Sequence, residues 1–175
     1  HRAAYGVALG AERVVITASA SGAFLLAFSA LFDNDSRVGL GLLCHPSYRQ
    51  ILKAVGLKAV EMSTSPAGRY QPQPTDVADH ALDGLIVASP ANPTGTMLDR
   101  VESQALADAC AARNTAFISD EIYNGISYDK DAVTALQVTD DVYVINSFSK
   151  FFSMTGWRVG WMIVPVDYVR RVERL

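Results

Sequence analysis

Two cysteines in 175 residues, Cys44 and Cys110, stand far apart with no CxxC and no companion pair. That spacing supports neither a disulfide framework nor a zinc site, and two reduced thiols suit a cytoplasmic protein. A large excess of charge of one sign is missing as well. Fifteen Lys and Arg face 18 Asp and Glu, the net charge is −3, and the basic residues are scattered. No electrostatic footprint for nucleic acid results. The three histidines, His1, His45 and His80, show no HExxH or other clustered ligand spacing, so no metal site is expected. There is no GxxxxGK followed by Ser or Thr, no GxGxxG after a strand, and no GxSxG elbow. These absences remove the common nucleotide-binding and hydrolase readings. No internal repeat and no low-complexity tract interrupts the chain.

One long uncharged run, Val14 to Phe32, matches a membrane span in length. It carries Thr17, Ser19, Ser21, Gly22 and Ser29, ends in an acidic DND turn, and lacks a basic signal-peptide start. The run therefore reads as a strand end, a tight turn and a buried helix, with no membrane partner. Residue 1 already lies within ordinary globular sequence, and the last helical pattern, PVDYVRRVERL, stops at Leu175 without a cap. The chain is expected to be a piece of something longer.

What is present is an alternation. Arg37 to Leu43 reads as a strand, and PSYRQILKAVG as a helix ending at Gly56. LKAVEMS is a strand, Thr64 to Thr75 a surface coil, and GLIVAS (Gly84 to Ser89) a buried strand. PANPTG is a turn by composition. DRVESQALADACAARN is a helix opened by an Asp99–Glu102 capping box and stopped at Asn114. TAFIS, VYVIN and RVGWMIV are further strands. Unbroken apolar strands alternating with helices predict an α/β fold, a three-layer α-β-α domain with a mostly parallel central sheet.

In such sheets, ligands bind beyond the carboxyl ends of the strands. The polar residues that do not fit a core fall there: Ser19, Ala20, Ser21 and Gly22 after VVIT, and Asn92 after GLIVAS. Asp120 and Tyr123 follow TAFIS, Ser147, Ser149 and Lys150 follow VYVIN, and Arg158 lies just beyond. Lys150 sits in SFSKFFSMTGWRVGW, an aromatic, hydroxyl-rich stretch where a buried lysine needs a partner or must be neutralised. The aromatics around it read as packing that excludes water. Each feature alone has a bland reading: close packing, a turn, an N-cap, a snorkelling lysine. Together they supply a helix N-terminus for an anion, an arginine, hydroxyls, a carboxylate, a phenol, an amide and one lysine. That inventory suits an anionic heteroaromatic carbonyl compound that a lysine can bind covalently.

The stretches TASASGAF, CHPSYR, SPANPTG, ISDEIY and SFSKFFSMTGWRVGW, in this order and spacing, resemble the class I/II (aspartate aminotransferase-like) aminotransferases of the pyridoxal-phosphate fold type I. The resemblance covers nearly all of the chain and implies its large domain only, residues 1–175, without an N-terminal segment and a C-terminal small domain. It implies pyridoxal 5′-phosphate as cofactor, amino-acid and 2-oxo-acid substrates in a ping-pong cycle, and a homodimer. Lys150 would hold the cofactor as an internal aldimine and move the substrate proton. Asp120 would pair with the pyridine nitrogen, and Tyr123 and Asn92 with the phenolic oxygen. Ser147, Ser149, Arg158 and the N–H groups of Ala20 and Ser21 would bind the phosphate, and His45 would stack on the ring. Two positions depart from the family's usual pattern: Ser19 replaces a common glycine, and His45 replaces Tyr, Phe or Trp. The arginine for the substrate carboxylate would lie beyond Leu175. The same cradle also serves C–S lyases, decarboxylases and synthases, and the aminotransferase-like effector domain of some transcription regulators.

Overall fold

The computed structural model describes residues 2–175. Seven strands follow in the predicted order, with α-helices between successive strands as far as the fifth and only short 3-10 turns between the fifth, sixth and seventh. The strands are β1 (Val14–Thr17), β2 (Arg37–Gly41), β3 (Lys58–Met62), β4 (Gly84–Ala88), β5 (Ala116–Asp120), β6 (Tyr143–Ser147) and β7 (Gly160–Ile163). The helices are α1 (Arg2–Tyr5), α2 (Ser19–Leu31), α3 (Ser47–Ala54), α4 (Pro74–Asp79), α5 (Arg100–Ala112) and α6 (Val169–Val172). The sheet order is β1-β7-β6-β5-β4-β2-β3. Strand β7 runs antiparallel to β1 and β6, and every other pair is parallel.

Both faces of the sheet are covered, which is why the central strands are apolar without alternation in polarity. Ile86, Ile118 and Ile145 point to the side of α2 and α3, against Phe24, Phe28, Tyr48 and Leu52. Their neighbours Leu85, Val87, Phe117 and Val144 point the other way, against Leu106 and Cys110 of α5 and Val77 of α4. The period of two along each strand thus feeds two separate cores.

The uncharged run Val14 to Phe32 resolves into β1 and α2, and among the described residues no helix is long and apolar enough to cross a membrane. The predicted cap of α5 is present in both directions: Glu102 N–H donates to Asp99 Oδ1 at 2.9 Å and Asp99 N–H to Glu102 Oε2 at 2.8 Å. Asn114 follows the helix at φ 52°, the left-handed conformation that ends helices.

Three expectations need correction. Strand β2 stops at Gly41, because after Leu42 N–H bonds Met62 O the chain leaves the sheet. The coil Thr64 to Thr75 is not wholly a surface excursion. Gln71 is buried and donates to Ala88 O and Thr96 O, and Pro74 opens α4, whose box of Gln73 and Asp76 is too short a signal to read as a helix. The aromatics of the lysine stretch do not seal it. Phe148 packs on Trp161, but Phe151, Phe152 and Trp157 are 54%, 49% and 72% exposed, and Lys150 itself is exposed.

Candidate functional site

One edge of the sheet gathers the singled-out residues because of strand direction. Strands β1, β2, β4, β5 and β6 all end there. Antiparallel β7 begins there, since Gly160 pairs with both Thr17 and Ser147. That reversal is what brings Arg158, just ahead of β7, to the carboxyl ends of its neighbours. Following the sheet order, the start of α2 and Arg158 come first, then Ser149 and Lys150, then Asp120 and Tyr123, then Asn92, then His45. The cationic and N–H-rich groups therefore lie at one end of the row and the carboxylate, amide and imidazole at the other.

These residues line a single cavity of about 180 Å³. Ser19, Ala20 and Ser21 contribute the first turn of α2, whose unpaired N–H groups and positive dipole end favour an anion. Ser19 holds φ 74°, and the turn is tied by Thr17 Oγ1 donating to Ser19 O at 2.9 Å. Gly160 makes the close approach possible. A Cβ there would lie 2.7 Å from Ser19 C, 2.9 Å from Ala20 N and 2.9 Å from Asn146 O, all backbone atoms. The glycine is what lets α2 start directly over β7.

The lysine turn is self-tied. Met154 N–H donates to Phe148 O at 3.0 Å, Ser153 N–H to Lys150 O at 2.9 Å, and Thr155 Oγ1 to Ser149 O at 2.7 Å. Arg158, at φ 53°, donates from Nη1 to Thr155 O at 3.0 Å. Lys150 Nζ lies 5.5 Å from the centroid of the Tyr123 ring. Neither Lys150 nor Arg158 makes an ion pair among the described residues.

Asp120 closes β5 and is buried. Ile122 N–H donates to its Oδ1 at 3.1 Å and the Tyr48 hydroxyl donates to its Oδ2. Burial raises the Asp120 carboxyl, and the Tyr48 and Ile122 donors and the nearby His45 oppose that rise. Asn92 Nδ2 donates to the Tyr123 hydroxyl at 3.1 Å, so these two are held as a pair. His45 sits on the loop after β2. Its Nδ1 lies on the Ser47 hydroxyl and accepts Ser47 N–H at 3.3 Å, which ties the ring to the start of α3.

Of the ten candidate residues, nine line the cavity. Ser147 does not: it is buried beneath Ser149, with its hydroxyl on the Ser149 hydroxyl and accepting Ser149 N–H at 3.0 Å. It shapes the turn and leaves Ser149 and Thr155 as the hydroxyls that the lysine turn gives to the cavity. Tyr48 and Thr155 are additions. Tyr48 had a signal: it and Leu52 are the buried positions of α3, and a buried phenol requires a partner. Thr155 had none beyond proximity to Lys150.

The fold and the site together define an α/β ligand-binding domain with its site past the ends of a mostly parallel sheet. The sequence pattern of the family described as aminotransferase class I and II matches residues 1–175, and the chain belongs to that family. Valine–pyruvate aminotransferase of Mycobacterium tuberculosis is 44% identical over 175 residues, covering 98% of this chain and 45% of that protein. Arginine–pyruvate transaminase of Pseudomonas aeruginosa is 30% identical over 181 residues, covering 100% of this chain and 46% of that protein. A solved structure from Silicibacter pomeroyi superposes with a TM-score of 0.97 at 62% identity, covering 99% of this chain and 47% of that one. A solved aminotransferase from Mycobacterium tuberculosis gives 0.94 at 43% identity, covering 98% and 48%. The chain spans about half the length of the curated relatives it matches.

Proposed function

We propose that residues 1–175 are the pyridoxal 5′-phosphate-binding large domain of an aminotransferase that passes an amino group from an amino acid to a 2-oxo acid. The observation that carries this reading is one cavity in which two cations, Lys150 and Arg158, without ion pairs among the described residues, and a helix N-terminus meet a buried Asp120. The donor set fits that cofactor: a phosphate suits the Arg158 guanidinium, the Ser149 hydroxyl and the N–H groups of Ala20 and Ser21. When bound, the cofactor supplies an aldehyde that condenses with amines and a pyridinium ring that withdraws electrons. Every other task falls to the chain. Lys150 Nζ is the amine for the covalent link and the atom that takes and returns a proton. Asp120 presents a carboxylate to a ring nitrogen. The Asn92–Tyr123 pair offers donors to a phenolic oxygen, and the His45 imidazole offers a stacking face.

The working enzyme on this reading is a cytoplasmic homodimer, with amino-acid and 2-oxo-acid substrates and no membrane or nucleic-acid partner. The valine–pyruvate relative makes valine and pyruvate the first pair to assay. In the full-length protein loaded with cofactor, an amino-acid donor should bleach the visible band of the bound cofactor and release its 2-oxo acid, and a second 2-oxo acid should restore the band. If no donor in an amino-acid panel does so, aminotransfer is wrong. Release of pyruvate and ammonia from a cysteine conjugate without a 2-oxo-acid acceptor would instead identify a C–S lyase.

A further inference from the structure

Tyr48 is 3% exposed, on the first turn of α3, and its ring packs 5.0 Å from that of Phe24. Packing alone is served as well by phenylalanine, so the hydroxyl needs its own reason. Its hydrogen bond goes to Asp120 Oδ2, 72 residues away in sequence, while Ile122 N–H holds Oδ1 at 3.1 Å. The two donors grip opposite oxygens of one buried carboxylate. Ile122 N–H is a local contact any residue could supply; Tyr48 is the side-chain contact that fixes the carboxylate plane from a different element.

We propose that Tyr48 is a positioning residue: its hydroxyl orients the Asp120 carboxylate and holds it ionised in the cavity. The proposal deepens the functional reading above and rests on it for the purpose of that carboxylate, though the hydrogen bond itself needs no cofactor. The physical logic is that a buried carboxylate resists ionisation unless donors compensate for lost water. Burial and the neighbouring Asp120 charge push the Tyr48 phenol well up from its ordinary value, so Tyr48 stays a donor. The other ionisable groups around this pair are His45 and Cys44 from the segment after β2, Tyr123 and Glu121 after β5, and Lys150 across the cavity. His45 favours the Asp120 charge. Glu121 turns its carboxylate away, onto Ser119, Thr134 and Ala135 N–H.

The test uses the ligand-free full-length protein labelled with 13C at aspartate Cγ and tyrosine Cζ, with Asp120→Asn and Tyr48→Phe spectra giving the assignments. In the wild type, the Tyr48 Cζ resonance should move with the same midpoint as Asp120 protonation. In Tyr48→Phe, the Asp120 midpoint should rise by about one to two pH units, the worth of one hydrogen bond to a charged group. An unmoved Tyr48 resonance, or an unchanged Asp120 midpoint in folded Tyr48→Phe, overturns the proposal. If Tyr48→Phe fails to fold, the Tyr48 resonance is assigned by its displacement in Asp120→Asn, and the wild-type co-titration decides. A protein that binds no pyridoxal phosphate yet shows the coupling would sink the functional reading and leave this one standing.

Discussion

Replacing Gly160 by alanine tests whether the start of α2 is placed by backbone contact. The added Cβ would meet Ser19 C at 2.7 Å, Ala20 N at 2.9 Å and Asn146 O at 2.9 Å. Ordinary contact begins at 3.4 Å. All three neighbours are backbone, so no rotamer change can relieve the clash; either α2 lifts from β7 or β6 and β7 part. Overpacking of a tight site costs about 1–3 kcal/mol, and a clash with backbone on two sides belongs at about 3. The displaced atoms are the N–H groups proposed to bind phosphate, so cofactor affinity should fall together with stability, by at least about tenfold for a loss near 1.4 kcal/mol. Gly156→Ala is the control, because a Cβ there meets nothing within 4 Å and its φ is not positive. The assay is denaturant unfolding of the ligand-free full-length protein, with a fluorescence titration of pyridoxal phosphate. If Gly160→Ala matches Gly156→Ala within about 0.5 kcal/mol, the size expected of a substitution that meets nothing, and binds cofactor normally, the packing argument is refuted.

Two further predictions follow from strained or buried groups. Ser19 holds φ 74°, a conformation that costs a non-glycine residue about 1–2 kcal/mol, so Ser19→Gly should raise stability by up to about 1 kcal/mol after glycine's own entropy cost; a loss of stability would show that the serine side chain matters more than the turn. Burial raises the Glu121 carboxyl from 4.5 to about 7. The folded chain then binds that proton more tightly than the unfolded chain. The contribution is fully present below about pH 4.5 and is lost as pH rises through about 7. Its size is about 3 kcal/mol, and Asp120, also raised, has the same sign. Stability of the wild type relative to Glu121→Gln should therefore fall between about pH 4 and pH 8; parallel pH curves would contradict it.

The architecture was legible because the strands are short unbroken apolar runs and the α5 cap is a local four-residue pattern. The candidate residues were legible because nearly all are polar groups beside an apolar run. What could not be read were relations across the sheet. The antiparallel course of β7, which brings Arg158 to the site, is set by pairing with β1 and β6 rather than by its own residues. Ser147 and Ser149 look alike in sequence, yet strand alternation and the turn bury one beneath the other. Tyr48 reads as a core aromatic until Asp120, 72 positions away, is seen against it. The exposure of Lys150, Phe151, Phe152 and Trp157 reverses the expectation of a sealed turn, because local composition does not say which side of a turn meets the domain.

The central claim is that Lys150 is the amine that carries the cofactor. Reduction of the cofactor-loaded full-length protein with borohydride, followed by peptide mass spectrometry, locates the link directly. The pyridoxyl mass should fall on the peptide containing Lys150, and Lys150→Ala should lose both the label and the visible band. A label on another lysine, or a band retained in Lys150→Ala, would contradict the account.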